Sequence, residues 1–125
     1  MITKGVHMKS IISVGLLIGS LGYAQLTLAK CDYPKMNFVI PNGATASKDE
    51  MLAASTKIKA YQADLGNYRF CLDEELSKFS PELENYARIY EISTDRHNDS
   101  IEAEEETAED WNLEVRAFNK ANKGK

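Results

Sequence analysis

The sequence predicts an all-α fold: an antiparallel, coiled-coil-like two-helix hairpin with an extended N-terminal arm stapled to it by one disulfide. Three observations predict this fold. Apolar residues recur every three or four positions over 47–79, which indicates one amphipathic helix. Residues 81–121 repeat this pattern with no glycine, and with no proline after the first position. The chain has two cysteines, Cys31 before the first helix and Cys71 inside it.

Residues 1–29 have the composition of a secretory signal peptide. They hold two lysines, no acidic residue and an apolar run between Ile11 and Leu28. A basic start, a short apolar segment and small residues after it are typical of such a peptide. The small residues predict cleavage after Ala24 or after Ala29. The alternative is an uncleaved membrane anchor, because the run is nearly long enough to span a bilayer.

Export predicts an oxidising compartment, either the bacterial periplasm or the medium outside the cell. Cys31 and Cys71 are therefore expected to form one disulfide, and two buried free thiols are the alternative. The net charge is −4, and loss of two lysines with residues 1–29 would bring it to −6. Negative charge argues against nucleic acid and anionic lipid as partners. Only an uncleaved N-terminal segment would hold the chain at a membrane.

Residues 30–46 are predicted to form an extended arm. Pro34 and Pro41 push the residue before each of them out of helical geometry, and Pro41-Asn42-Gly43 favours a turn. We expect the arm to lie against the hairpin, because Met36, Phe38, Val39 and Ile40 are too apolar for a free tail. Met36, Phe38 and Ile40 are expected to fill the groove between the helices.

The predicted first helix, 47–79, begins with a capping box, in which Ser47 and Glu50 each satisfy a backbone N–H of the first turn. Gly66 lies inside this helix and costs about 1 kcal/mol relative to alanine. The apolar repeat continues in phase through Gly66, so the pattern favours one helix over two. An arm that runs back along this helix can also reach Cys71. The residues from Cys31 to Ser47 can span about 53 Å when extended. This exceeds the helical distance from Ser47 to Cys71, which is about 36 Å.

The predicted second helix, 81–121, begins with Ser80 as its N-cap and Pro81 at its first helical position. Its weakly apolar middle, 93–107, leaves open whether the helix is continuous, and 122–125 is predicted to be a frayed tail. We expect its stripe of apolar residues to face the first helix. This stripe comprises Leu83, Tyr86, Ile89, Tyr90, Ile101, Ala108, Trp111, Val115 and Phe118.

A tip near Ser80 sets the predicted register of the hairpin. It places Met51 beside Trp111 and Tyr61 beside Ile101. It also brings two lysines of the first helix, Lys57 and Lys59, near Glu104 and Glu105.

Short motifs in the chain resemble a group of small exported bacterial proteins. The motifs are Cys31, Ile40-Pro41-x-Gly43, Tyr68-x-x-Cys71-Leu72 and Arg116-Ala117-Phe118. The resemblance implies an exported helical protein, and it carries over no catalytic residue, because that group has no assigned activity. The chain departs from the group in its acidic run, 102–110, and at Asn42.

The sequence lacks the motifs of common catalytic and metal sites. It has no glycine-rich phosphate loop and no nucleophile elbow. His97 is the only histidine after residue 29, and the acidic run 102–110 lacks the glycine turn of a calcium loop. We therefore expect no enzymatic activity, no metal and no cofactor.

The expected function is that of a structural or adaptor protein acting through protein contacts in the cell envelope. Its partner is an unidentified protein or a second copy of the chain. The alternative is a protein that binds a small ligand or a client with its aromatic tip and arm. The candidate contact residues are Tyr68, Phe70, Phe79, Tyr86 and Tyr90.

Overall fold

The computed structural model describes residues 31–124, so the predicted signal peptide and both cleavage sites lie outside the described residues. Two helices, α1 (Lys48–Ser77) and α2 (Tyr86–Ala121), pack against each other. They are joined by residues 78–85, and so short a connection makes neighbouring helices antiparallel. No residue of the described part is in a strand. With the arm and a disulfide, this is the predicted fold class, which is confirmed.

The predicted capping box begins α1. The backbone N–H of Glu50 donates to the Ser47 hydroxyl at 3.2 Å, and the N–H of Ser47 donates to the Glu50 carboxylate at 2.7 Å. These hydrogen bonds favour the ionised carboxylate and lower the pKa of Glu50 below its usual value. The helix continues through Gly66 without a break, as the phase of the apolar repeat predicted.

The buried side of α1 follows a heptad pattern, with steps that alternate between three and four residues. Leu65 and Leu72 have no exposed surface, and they form the centre of the core. The buried residues of α1 are Met51, Ala54, Ile58, Tyr61, Leu65, Tyr68 and Leu72.

On α2, small polar side chains occupy the position that faces the core. Ser93, Ser100 and Thr107 are buried and follow one another at seven-residue intervals. The Ser100 hydroxyl donates to the carbonyl of His97, and the Thr107 hydroxyl to that of Ala103, both at 2.7 Å. Burying the hydroxyls of Ser100 and Thr107 is therefore tolerated, because their hydrogen bonds are made within the helix.

This finding corrects the predicted stripe on α2. Tyr90 is 53% exposed and Ile101 is 36% exposed, so neither packs in the core as expected. The small residues leave room for the leucines of α1, whereas two large side chains in their place would hold the helices apart. The open question about the middle of α2 is also answered, since the helix is continuous across it.

The start of α2 and the register also differ from the prediction. Ser80 accepts a hydrogen bond from the N–H of Leu83 and, through its hydroxyl, one from Glu82, so it forms a turn instead of a helix cap. The longer connection shifts the register. Glu104 pairs with Arg69 at 2.6 Å, so its predicted pairing with Lys57 and Lys59 is wrong.

Gly66 has no steric role in the described structure. A Cβ at this position would meet only the guanidinium of Arg69, at 3.9 Å. We therefore expect Gly66→Ala to raise the free energy of unfolding by about 1 kcal/mol, measured by urea denaturation. Ala63→Gly, on the exposed side of the same helix, is the matched control and should lower it by a similar amount. A decrease for Gly66→Ala would show that this expectation is wrong.

Neither helix of the described part is long and apolar enough to cross a membrane.

Candidate functional site

The predicted disulfide fixes the start of the arm. It joins Cys31 to Cys71 with their Cα atoms 5.8 Å apart, and it closes a sequence separation of 40 residues. No cysteine of the described part is free. The pairing predicted from the sequence is therefore confirmed. The alternative, in which Cys31 and Cys71 are free thiols, is wrong.

Aromatic contacts position the arm along the hairpin. The Tyr33 ring meets Tyr68 edge-on at 5.1 Å, and further along the arm Phe38 meets Tyr61 at 6.2 Å. The Tyr33 hydroxyl also donates to the carbonyl of Asp99 on α2, at 3.4 Å. As the arm advances, its partners on α1 recede toward the start of that helix. The arm thus runs back along the hairpin and contacts both helices.

The turn after Pro41 fixes the far end of the arm. The N–H of Gly43 donates to the Glu114 carboxylate at 2.6 Å. Gly43 is buried, and a Cβ added to it would lie 1.8 Å from the backbone oxygen of Glu114. The Asn42 side chain accepts a hydrogen bond from the N–H of Ala44 at 3.0 Å and stabilises the turn. Only glycine fits here, because the backbones of the turn and of α2 touch.

Between these two anchors the arm has no regular secondary structure, and it bends at Phe38. Pro34, Phe38 and Ile40 are half-buried against the hairpin, whereas Lys35 and Val39 are exposed. No backbone N–H or C=O group from residue 32 to 41 is hydrogen-bonded to another described residue. Among the described residues, side-chain contacts therefore hold this segment against the hairpin.

A depression of about 430 Å³, which we call the arm–α2 channel, lies between the arm and α2 and opens to solvent. Its apolar lining includes three well-exposed side chains: Val39 at 88%, Leu113 at 49% and Met36 at 40%. Asp110 and Glu114 provide carboxylates on the α2 wall. The channel therefore combines exposed apolar side chains with two carboxylates, of which that of Glu114 already accepts the hydrogen bond from Gly43.

A smaller depression, of about 240 Å³, lies near the connection between the helices. It brings together Asp73, Tyr90 and His97, but no hydrogen bond joins these side chains in the described structure. Among the described residues, no group of three or more His, Cys, Asp or Glu side chains could hold a metal ion.

The five candidate contact residues lie in different places. Tyr68 is 6% exposed and covered by Tyr33, whereas Phe70 is 64% exposed. Residues two apart on a helix point in different directions, so these two do not share a surface. Tyr86 and Tyr90 are neighbours, with ring centres 6.3 Å apart, at the start of α2. Phe79 is half-buried in the connection.

Sequence reasoning did not include the residues of the arm–α2 channel among the candidate contacts. Val39 and Leu113 were missed because neither belongs to the helical stripes. The alternation of the arm could have indicated Val39, since every second residue of an extended segment points to the same side. Nothing in the sequence indicates that Leu113 and Glu114 meet the arm, because this depends on the register of the hairpin.

Comparison with known proteins adds no relative, since no family model, no curated protein and no solved structure matches the chain. The resemblance drawn from short motifs therefore stays a prediction. The function has to be argued from the geometry of the arm and the hairpin.

Burial raises the pKa of Tyr33, Tyr61 and Tyr68 above the usual value of 10.0, and nearby Tyr61 and Asp99 add to the effect at Tyr33. The folded state thus favours the neutral phenols. Their contribution to stability is complete below pH 10 and is lost as the pH rises through the raised pKa values.

We expect the arm to detach from the hairpin at high pH for this reason. The ionisation of the tyrosines can be followed by tyrosinate absorbance as the pH is raised. In the folded chain, part of the absorbance change should occur at a higher pH than the titration midpoint of the chain denatured in guanidinium chloride. Tyr33→Phe should remove one of the late-titrating groups. Identical titrations for the folded and denatured chains would contradict the expectation.

Proposed function

We propose that this chain is an exported, non-enzymatic adaptor protein that binds another protein through the arm–α2 channel. The observation that carries the proposal is the exposure of Met36, Val39 and Leu113 on one surface. A cluster of exposed apolar side chains with polar residues around it is typical of a protein interaction site.

The anchoring of the arm supports this proposal. The Cys31–Cys71 disulfide holds one end of the arm, and the hydrogen bond from Gly43 to Glu114 holds the other. A surface that is already ordered loses less conformational entropy when it binds a partner. The same apolar residues on a free tail would be a poorer binding site.

Export of the chain is part of the proposal. The composition of residues 1–29 is that of a signal peptide, and disulfides persist in oxidising compartments such as the periplasm or the extracellular medium. A disulfide between Cys31 and Cys71 is consistent with such a compartment.

The alternative function, binding of a small ligand by an aromatic tip, has less support. Tyr68 and Phe70 do not share a surface, and the depressions beside the arm open to solvent. Small-ligand sites usually bury most of the ligand in a concave pocket.

Site-specific photo-crosslinking tests the proposed function. A photoreactive amino acid at Val39, which is 88% exposed, should give covalent adducts with a protein in cells that make the chain. The same amino acid at Ala63, on the exposed side of α1, is the matched control and should give few adducts. Absence of adducts at Val39, or equal adducts at both positions, would overturn the proposal. Circular dichroism of each variant verifies that the helices are intact.

A further inference from the structure

We propose that the Cys31–Cys71 disulfide is a redox-sensitive latch for the arm. A dithiol reductant opens the bond in the folded protein, and residues 31–40 then leave the hairpin, while both helices and the turn at Gly43 stay in place. A disulfide compound, acting as the oxidant, closes the bond again. The inference goes beyond the proposed function, since it concerns how the arm is held and released and needs no partner protein.

The first argument is access to the disulfide. Cys31 and Cys71 are both half-buried, so neither is enclosed in the core. They line a depression of about 360 Å³ that lies between the start of the arm and α1 and opens to solvent. Exposed disulfides are more easily reduced than buried structural ones, and they include the regulatory ones. A reductant can therefore reach this bond without unfolding the hairpin.

The exchange balances in sulfur bonds, electrons and protons. One thiolate of the reductant bonds to one sulfur of the Cys31–Cys71 pair, and the other sulfur of the pair leaves as a thiolate. The second thiolate of the reductant then displaces the first bond and closes the reductant's own disulfide. The chain gains two electrons and two protons and holds two thiols. The reverse exchange re-forms the bond.

The second argument is how little else holds the start of the arm. Two edge-on ring contacts, Tyr33 with Tyr68 and Phe38 with Tyr61, place it on α1. Its hydrogen bond to α2 is long, at 3.4 Å from the Tyr33 hydroxyl to the carbonyl of Asp99. Segments with few buried contacts and without backbone hydrogen bonds open at a low cost in free energy. Once the bond is reduced, this segment is therefore the first to detach.

The third argument is that the rest of the described structure is held without the sulfur bond. The N–H of Gly43, which is buried, donates to the Glu114 carboxylate at 2.6 Å. Leu65 is fully enclosed in the core, and Arg69 of α1 pairs with Glu104 of α2 at 2.6 Å. The released segment thus stays tethered at Gly43 to an intact hairpin.

Release of the arm changes two surfaces. Tyr61 and Tyr68, which are 8% and 6% exposed in the oxidised chain, become uncovered. The arm–α2 channel loses Met36 and Val39 and keeps only its α2 wall. The redox state of one bond therefore determines whether the channel is formed.

The kinetics of reduction test the latch on the folded, oxidised protein. Dithiothreitol is the probe, and the thiols it releases are trapped by alkylation and counted by mass spectrometry. Direct attack predicts a rate in proportion to the dithiothreitol concentration. It also predicts an equal rate for Gly66→Ala, which should stabilise the whole chain and does not line the depression. Reduction that requires global unfolding would level off at high dithiothreitol or slow about fivefold in this variant, and either result would overturn the proposal.

NMR and circular dichroism of the reduced protein locate the change. We expect the contact between the rings of Tyr33 and Tyr68 to be lost, while the amide of Gly43 stays protected from hydrogen exchange and the helical signal is retained. Cys31→Ser/Cys71→Ser is the control, because it should show this state without a reductant and should not respond to one. Loss of the helical signal on reduction, or an unchanged contact between Tyr33 and Tyr68, would overturn the proposal.

The latch and the proposed function fail separately. The measurements on the purified chain involve no partner, so their failure leaves the adaptor function as it stands. If the latch behaves as expected and no adduct forms at Val39 in cells, the adaptor function is wrong and the latch stands.

Discussion

Gly43→Ala should detach the turn of the arm from α2 and lower the free energy of unfolding by about 3 kcal/mol or more. The added Cβ would lie 1.8 Å from the backbone oxygen of Glu114 and 2.9 Å from the backbone nitrogen of Phe118. These atoms belong to α2 and cannot move without distorting the helix, so the turn has to move. The hydrogen bond from Gly43 to the Glu114 carboxylate is then lost as well.

Urea denaturation measures this loss, and hydrogen exchange locates it. Exchange should accelerate at the amide of Gly43, while the core of α1 around Leu65 stays protected. Gly66→Ala is the control, because the same chemical change is expected to stabilise the protein there. Glu114→Gln keeps the space but weakens the hydrogen bond, and should cost less than Gly43→Ala. An unchanged unfolding midpoint for Gly43→Ala would show that the turn does not pack against α2 as described.

Removal of the disulfide should have an effect of similar size. The chain-entropy relation gives about 4 kcal/mol for a closed loop of 40 residues. The double variant Cys31→Ser/Cys71→Ser leaves no unpaired thiol. It should lower the free energy of unfolding by about this amount. The Tyr33 side chain should also become more exposed to solvent, because its contact with Tyr68 is no longer held in place.

A reducing agent provides the control for this prediction. It should destabilise the wild-type protein and leave the double serine variant unchanged. Equal stability of the oxidised wild type and the variant would mean that the bond does not restrict the unfolded chain. Proteolysis restricted to the arm, with α1 and α2 intact, would show that the hairpin remains folded without the bond.

Features of the fold that depend on local sequence could be predicted. The heptad of α1, its capping box at Ser47 and its passage through Gly66 all follow from residues close together in the chain. The disulfide was predicted from export and from the reach of the arm. The turn at Pro41-Asn42-Gly43 was predicted from the preferences of those three residues.

The features that were missed depend on how the elements pack. Hydrophobicity favoured Tyr90 and Ile101 for the core, and it could not show that buried Ser100 would satisfy its hydroxyl within its own helix. The register was wrong because the turn at Ser80 lengthens the connection. Without the correct register, the contact between Gly43 and Glu114, and with it the channel, could not be found.

The contact between Gly43 and Glu114 spans 71 residues of chain, and this separation has a consequence for the order of folding. Closing a long loop costs more entropy than closing a short one, so we expect the two helices, joined by a short connection, to come together first. The arm then docks late, and until it does, Tyr61 and Tyr68 are uncovered. We therefore expect the disulfide to form after docking, on a hairpin that is already assembled.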